Sequence, residues 1–168
     1  VEQRQFADKL FKREDYHEAA LAYEVLLDTA GSTMTDQGRA DVYLSKAMAH
    51  LRAHQNELGL AALKAALGET PLDATIHHKI GLVHARQDRT DQAIIFFGNA
   101  HRLAPNVIDH AWHCGLELKR AGRMDEAHFL FRRVLSIDPD HVEAREALNQ
   151  ADTWPLPPAS DIQNSAIL

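Results

Sequence analysis

The stretch PLDATIHHKIGLVHARQDRTDQAIIFFGNAHRLAP, residues 71–105, contains one complete copy of a pattern that recurs along this chain. Residues 105–139 repeat it, with Gly115 standing 34 positions after Gly81. A period of about 34 residues is typical of a solenoid of stacked helix pairs. Such a stack offers an extended surface rather than an enclosed reaction chamber. The recurring positions are Ala47, Gly81 and Gly115; Gly59, Ala93 and Ala127; Ala66, Ala100 and Val134; and Pro71, Pro105 and Pro139.

Each period divides into two helices, as the three- and four-residue spacing of its apolar residues indicates. The spacing predicts one helix over residues 74–86 and a second over 90–103. Asp73 is a candidate N-cap for the first helix, and the polar turn at 87–90 offers candidates for the second. Small residues in both helices predict a close approach of their backbones, locked by Phe97.

The rest of the chain follows the same plan with two departures. The first copy is weaker, and Ala7 precedes its counterpart Ala47 by more than one period, so the insertion around residues 31–36 predicts a longer helix that starts near Thr35 or Asp36. After Pro139 the pattern predicts a half-polar capping helix. The predicted organisation is a solenoid over 1–151, with repeats at about 1–31, 36–71, 73–105 and 106–139, a capping helix at 140–151, and a Pro-containing tail at 152–168.

Composition excludes several classes of function. The chain is 45% hydrophobic and 25% charged, with a net charge of −6, and nucleic-acid binding surfaces normally carry an excess of Lys and Arg. No apolar run approaches the roughly 18 residues of a membrane span. The single cysteine, Cys114, forms no internal disulfide and does not identify the redox compartment. The chain starts at Val1, so the compartment stays open, with the cytoplasm slightly favoured over the periplasm or a membrane-anchored full-length protein.

These residues resemble the tetratricopeptide repeat family. The resemblance is strongest in the third unit and next strongest in the fourth, whereas the family's Trp position holds Tyr43, His77 and Ala111. It implies an all-α, right-handed α-α superhelix of about four repeats plus a capping helix, whose first helices line a concave groove that holds peptides or partner helices. The matching residues are Ile80, Gly81, Ala93, Phe97, Ala100 and Pro105, and then Gly115, Ala127, Phe131 and Pro139.

The face of each first helix that packing leaves free predicts what the groove binds. It combines an apolar strip with arginines that recur once in every repeat, a pattern that suits an acidic, apolar peptide. A cation at a helix C-terminus is also favoured by the helix dipole alone, and Trp112 fits either a ligand anchor or structural packing. Lys12 is the predicted first member of the arginine row. The predicted groove residues are Leu44, Met48, Leu51, Arg52, His78, Lys79, Leu82, Arg86, Trp112, His113, Leu116, Lys119 and Arg120.

The eleven histidines do not predict a metal site. His50, His77 and His84 fall on packing faces, and Cys114, next to His110 and His113 in the sequence, is expected to face the core. A metal needs three or four ligands that converge on one point. The chain also lacks the nucleophile, phosphate-loop and zinc-protease motifs of enzymes. We therefore predict no cofactor, no metal and no catalytic residue.

The sequence thus predicts a non-enzymatic scaffold or adaptor that binds a protein or peptide. Two alternatives remain: a small repeat-built chaperone of a bacterial secretion system, and an assembly subunit or non-catalytic repeat region of a larger protein. The clamp that some family members close on a chaperone tail needs Lys and Asn residues that Arg4, Asp8, Leu44 and Met48 do not supply. The tail is either a linker or a segment that lies on this or a neighbouring solenoid, which opens a route to a homo-oligomer.

Overall fold

The computed structural model describes residues 2–149, and over this range the chain is built from helices with no strand. Eight helices form four pairs joined by short turns, and a ninth follows the last pair, which confirms the predicted all-α solenoid. No helix in this range is long and apolar enough to cross a membrane. The helices are α1 (Glu2–Lys12), α2 (Tyr16–Ala30), α3 (Asp36–Arg52), α4 (Asn56–Glu69), α5 (Ala74–Arg86), α6 (Thr90–Leu103), α7 (Ile108–Arg120), α8 (Met124–Ile137) and α9 (Val142–Asn149).

Each helix makes its main contacts with the helices next to it in the sequence. Within a pair the two helices pack together, and each second helix then packs on the first helix of the following pair. Three clusters of buried apolar side chains follow one another along the stack instead of forming one central core. Contacts of this kind are typical of an open stack of repeats.

Two glycines make room for buried aromatic rings. A methyl group placed on Gly81 would lie 2.7 Å from the ring of Phe97, and one on Gly115 would lie 2.6 Å from the ring of Phe131. Both rings are fully buried, and a close-packed interior leaves them little space to move. These two glycines therefore leave the space that the phenylalanine rings fill, which confirms the predicted close packing of the paired helices around Phe97.

The turn inside each pair contains one residue in the left-handed region of backbone space. Glycine reaches this region without steric cost, whereas other residues are uncommon there. Three of the four turns nevertheless use another residue, so this feature follows from the turn geometry and not from residue type. The four residues are Glu14 (φ 66°), His54 (φ 60°), Asp88 (φ 55°) and Gly122 (φ 76°).

The helix caps agree with the sequence in one case and disagree in another. Asp73 caps α5, because its carboxylate accepts hydrogen bonds from the amides of Thr75 and Ile76. The prediction that the polar turn caps α6 is wrong. Arg89 occupies the N-cap position, and no side chain accepts a hydrogen bond there. The left-handed residue at Asp88 sets this turn instead.

The insertion after the first pair lengthens α3, which has 17 residues. Gly31–Thr33 forms one 3₁₀ turn. Thr35 then accepts a hydrogen bond from the amide of Gly38 at 3.1 Å. This bond caps the helix, which begins at Asp36, as the sequence predicts.

The last helix covers the end of the described stack. Ala144 and Ala147 are buried against the fourth pair, while Glu143 and Glu146 are exposed, so the helix is half-polar as predicted. It begins at Val142 and not at residue 140, because the Asp138 carboxylate accepts a hydrogen bond from the amide of residue 140 and holds a turn there. The end of the predicted cap and the predicted tail at 152–168 lie outside the described residues.

Candidate interaction groove

The thirteen predicted groove residues lie on α3, α5 and α7, and none of them is buried. We call this surface the first-helix groove. Side chains of the first two rows below are half-buried, and those of the third are exposed. Equivalent positions of successive repeats form the rows Leu44, His78 and Trp112; Met48, Leu82 and Leu116; and Arg52, Arg86 and Arg120.

The apolar members of the groove also contribute to packing. Leu44 and Leu51 lie against the second core cluster. Leu82 and Leu116 lie against the cluster of the third and fourth repeats. Each leucine is therefore partly buried against the core, which holds the apolar strip in place.

Trp112 lies between two aromatic neighbours. Its ring centroid is 5.2 Å from that of Phe131 and 4.9 Å from that of His141. His78 occupies the same position one repeat earlier, with its ring 5.2 Å from Phe97. The indole thus packs on the core with part of its surface and leaves the rest exposed, so its structural packing is established and its role as a ligand anchor stays a prediction.

Three histidines meet around Phe97 at the boundary between the third and fourth repeats. The His78 ring lies 4.7 Å from that of His110 and 5.0 Å from that of His113, and His113 stacks on Phe97. The Nδ1 atoms of His78 and His110 are 3.0 Å apart, so one of them donates a hydrogen bond to the other. We call these three residues the histidine cluster. Two of its members, His78 and His113, are groove residues, and the third, His110, is buried behind them.

Burial favours the neutral forms of two members of the histidine cluster, His78 and His110. Burial, followed by the charges of the neighbouring His110 and His113, lowers the pKa of His78 to about 4 against a smaller opposing effect of Asp109. Burial is also the main cause of the lowered pKa of His110. A neutral pair can share the hydrogen bond between the Nδ1 atoms, whereas two protonated rings have only donors there. Acid therefore breaks this contact.

The protein is expected to lose stability as the pH falls from about 6.5 toward 4. In this window the unfolded chain binds a proton at His78 and the folded chain does not, so acid favours unfolding. The lowered pKa values of His84, His101 and His110 act in the same direction. Urea unfolding at several pH values measures this slope.

His78→Leu should make the slope shallower, because Leu44 already occupies this position in the second repeat. Both proteins carry the same carboxylates, so the difference between their slopes reports the hydrogen-bonded pair of His78 and His110. Identical slopes in the two proteins would contradict the account of the cluster.

Within residues 2–149, no group of three or more His, Cys, Asp or Glu residues is placed to hold a metal ion. Cys114 is buried, as predicted, and burial raises the pKa of its thiol to about 12. Its sulfur points to the backbone carbonyl of Ile94, 3.9 Å away. The cysteine therefore belongs to the core and not to the histidine cluster.

The three groove arginines differ in their partners. Arg120 lies 3.4 Å from a carboxylate oxygen of Asp88 and 3.6 Å from one of Glu117. Arg52 and Arg86 are exposed and have no ion-pair partner among the described residues. All three end their helices, so the favourable interaction with the helix dipole applies to each. Within residues 2–149, two of the three guanidinium groups are therefore unpaired.

Sequence reasoning missed two residues that shape the groove. His110 is buried and holds His78 in place. Asp88 pairs with Arg120 from the turn of the preceding repeat. Each contact joins residues 32 apart, which differs from the period of the repeat, so the recurring pattern does not reveal it. The weak available signal was that His110 replaces the apolar Ile76 of the third repeat.

Comparison with known proteins identifies the repeat. Residues 44–107 match the family model of the tetratricopeptide repeat. A crystal structure of MamA is 20% identical, with a TM-score of 0.75 over 88% of this chain and 82% of that one. MamA from Desulfovibrio magneticus RS-1 is 21% identical, with a TM-score of 0.69 over 83% of this chain and 76% of that one.

A third structure is the first tetratricopeptide repeat domain of Spaghetti (RPAP3), bound to the HSP90 peptide SRMEEVD. It is 16% identical, with a TM-score of 0.65 over 71% of this chain and 94% of that one. No curated protein matches the sequence. At these identities the structures show the shared fold, and together with the family model they confirm the resemblance to tetratricopeptide repeats.

Proposed function

We propose, from the premise that this chain carries tetratricopeptide repeats in an all-α solenoid, that it is a protein-interaction module. Its ligand is a peptide or an exposed segment of a partner protein, held in the first-helix groove. Repeats of this kind typically serve as interaction scaffolds, and the stack presents a continuous surface built from several first helices.

One observation carries the proposal: free arginines lie beside a half-buried apolar strip. Arg86 is exposed and has no partner in the described part of the chain, and Leu82 lies one helical turn before it on α5. A guanidinium group binds a carboxylate with two parallel hydrogen bonds. An apolar residue of the ligand can rest on the leucine. The chemistry therefore favours a ligand that combines carboxylates with apolar side chains.

The bound RPAP3 domain supplies a defined peptide for comparison. SRMEEVD is acidic and ends in a carboxylate, but Leu44 and Met48 stand where a carboxylate clamp requires polar side chains. We expect this peptide to bind poorly. It therefore serves as a negative probe, in contrast to acidic, apolar peptides selected from a random display library.

Arg86→Glu is expected to weaken binding of a library-selected acidic peptide by about tenfold, because it replaces attraction with repulsion. Fluorescence anisotropy with the labelled synthetic peptide measures the affinity. Arg102→Glu is the matched control, since Arg102 is also exposed and lies in the last turn of its helix, on α6 outside the groove.

The control distinguishes the loss of a ligand contact from the loss of the favourable interaction between an arginine and the helix dipole. Both substitutions place an acid near a helix C-terminus and should cost similar stability, whereas only Arg86→Glu should change the affinity. Equal affinities of the two variants for the selected peptide would exclude the groove assignment. Selection of peptides without acidic residues would exclude the proposed ligand chemistry.

A further inference from the structure

The second helices repeat an apolar residue at one exposed position. Ile95 on α6 and Phe129 on α8 occupy equivalent positions of successive repeats, with 54% and 55% of their surfaces exposed. Leu21 on α2 is 51% exposed at the matching position, and Ala61 on α4 is also exposed. All four repeats thus place an apolar side chain where packing within the stack does not require one. We call these four residues the outer ridge.

Charged residues flank the outer ridge in a fixed order on two of the helices. On α8, Asp125 lies four residues before Phe129 and Arg132 lies three after it, so all three share one helix face. On α4, Glu57 and Lys64 hold the same positions around Ala61. Each of these faces therefore presents an acid, an apolar residue and a base, in that order.

The charges on α8 are available to a partner. Asp125 and Arg132 are exposed, and neither has a hydrogen-bond or ion-pair partner among residues 2–149. An antiparallel copy of the same helix would place Arg132 of the second chain opposite Asp125 of the first, and the reverse. The two copies of Phe129 would meet between these pairs. The face is thus complementary to itself.

We propose that two copies of this chain pair through the outer ridge, related by a two-fold axis that runs along the ridge. Symmetric dimers use the same patch on both subunits, so a self-complementary face meets their basic requirement. Each second helix then lies antiparallel to its own copy. The interface is separate from the first-helix groove, so the dimer presents two grooves.

The order of charges selects this axis over the alternative. A two-fold axis parallel to the helices would also bring the two ridges face to face, but it would keep the helices of the two copies parallel. Acids would then lie on the same side as acids, and bases on the same side as bases, which disfavours association. Only the axis along the ridge places opposite charges together on both flanks.

The pairing is expected to be weak and dependent on concentration. Stable interfaces bury about 1,200–2,000 Å² in total, and the ridge offers one large apolar side chain on each of three helices. Phe129 is the largest of these and lies between the two charged residues of α8, so we expect it to contribute most to affinity, as buried aromatic residues commonly do.

Sedimentation velocity of the whole chain over a wide concentration range tests the proposal. The wild type should shift from monomer to dimer as its concentration rises, and Phe129→Glu should raise the dissociation constant at least about tenfold. Leu72→Glu is the control, because Leu72 is 80% exposed but lies in the turn before α5 and outside the ridge. Unchanged circular dichroism shows that the variants fold.

A charge exchange tests the antiparallel arrangement directly. Asp125→Arg and Arg132→Asp should each weaken self-association, since each creates like charges across the interface. An equal mixture of the two variants should restore it, because both ion pairs re-form in the heterodimer.

Three results would overturn the proposal. A wild type that stays monomeric at every concentration would show that a second copy does not occupy the ridge. A mixture of the exchanged variants that fails to associate would exclude the antiparallel arrangement. If Leu72→Glu raised the dissociation constant as much as Phe129→Glu, the outer ridge would be excluded as the interface. Peptide binding should be unchanged in the ridge variants, so this test fails or succeeds independently of the groove.

Discussion

Phe97→Ala is expected to lower the free energy of unfolding by about 3–5 kcal/mol, the usual cost of removing a fully buried phenylalanine ring. The ring fills the seat opposite Gly81 and supports His78 and His113 of the histidine cluster. Its loss leaves a cavity between two helices and removes the ring on which His78 and His113 pack. Urea unfolding followed by circular dichroism measures the change.

Two other variants distinguish the stability lost through the cavity from the stability lost through any Phe→Ala substitution. Phe129→Ala removes the same atoms from an exposed position on α8, the second helix of the next repeat, and surface changes of this kind usually cost no more than about 0.5 kcal/mol. Phe97→Leu should cost less than Phe97→Ala, because Leu63 is buried at the same position in the second repeat. If both Phe→Ala variants cost the same, the packing account is wrong.

The stacked fold could be predicted from the sequence because its determinants lie within one repeat. Gly81 and Phe97 are 16 positions apart and recur together as Gly115 and Phe131. Contacts between helices that follow one another depend on helical spacing and short turns, both of which the sequence encodes locally. The exposure of the groove residues follows from the same reasoning, since a face that is not needed for packing stays open.

The finer features of the site could not be predicted because they arise between repeats. His78 meets His110 across a repeat boundary, and Arg120 meets Asp88 in the same way. Such contacts depend on how much each repeat is rotated against the next, and periodicity does not encode that rotation. The turn at Asp88 shows a second limit. Its left-handed backbone appears at a residue type that does not require it, so only the geometry of the connection reveals it.

Trp112→Ala is expected to weaken binding of a library-selected acidic, apolar peptide by about 30-fold or more, the range of aromatic hot spots. It should also lower stability by about 2 kcal/mol, less than for a fully buried aromatic residue because the indole is only half-buried. The two effects follow from the partial burial of the ring, which packs on Phe131 and His141 and leaves the rest of its surface open to a ligand. Fluorescence anisotropy and urea unfolding of the same samples measure both.

A second pair of variants shows which side of the indole the ligand uses. Trp112→Leu introduces the residue found at this position in the second repeat, so it should recover most of the lost stability but little of the lost affinity. Phe131→Leu changes the packing beneath the indole without changing the groove surface, so it should lower stability and leave affinity within about twofold. If affinity follows stability across all three variants, Trp112 acts through packing alone. If affinity falls only in the two variants that lack the indole, the ligand contacts the indole. Loss of affinity in the two Trp112 variants, together with unchanged affinity in Phe131→Leu, would require a direct contact between the ligand and the indole. Phe131→Leu alters the packing around the indole but keeps the indole itself.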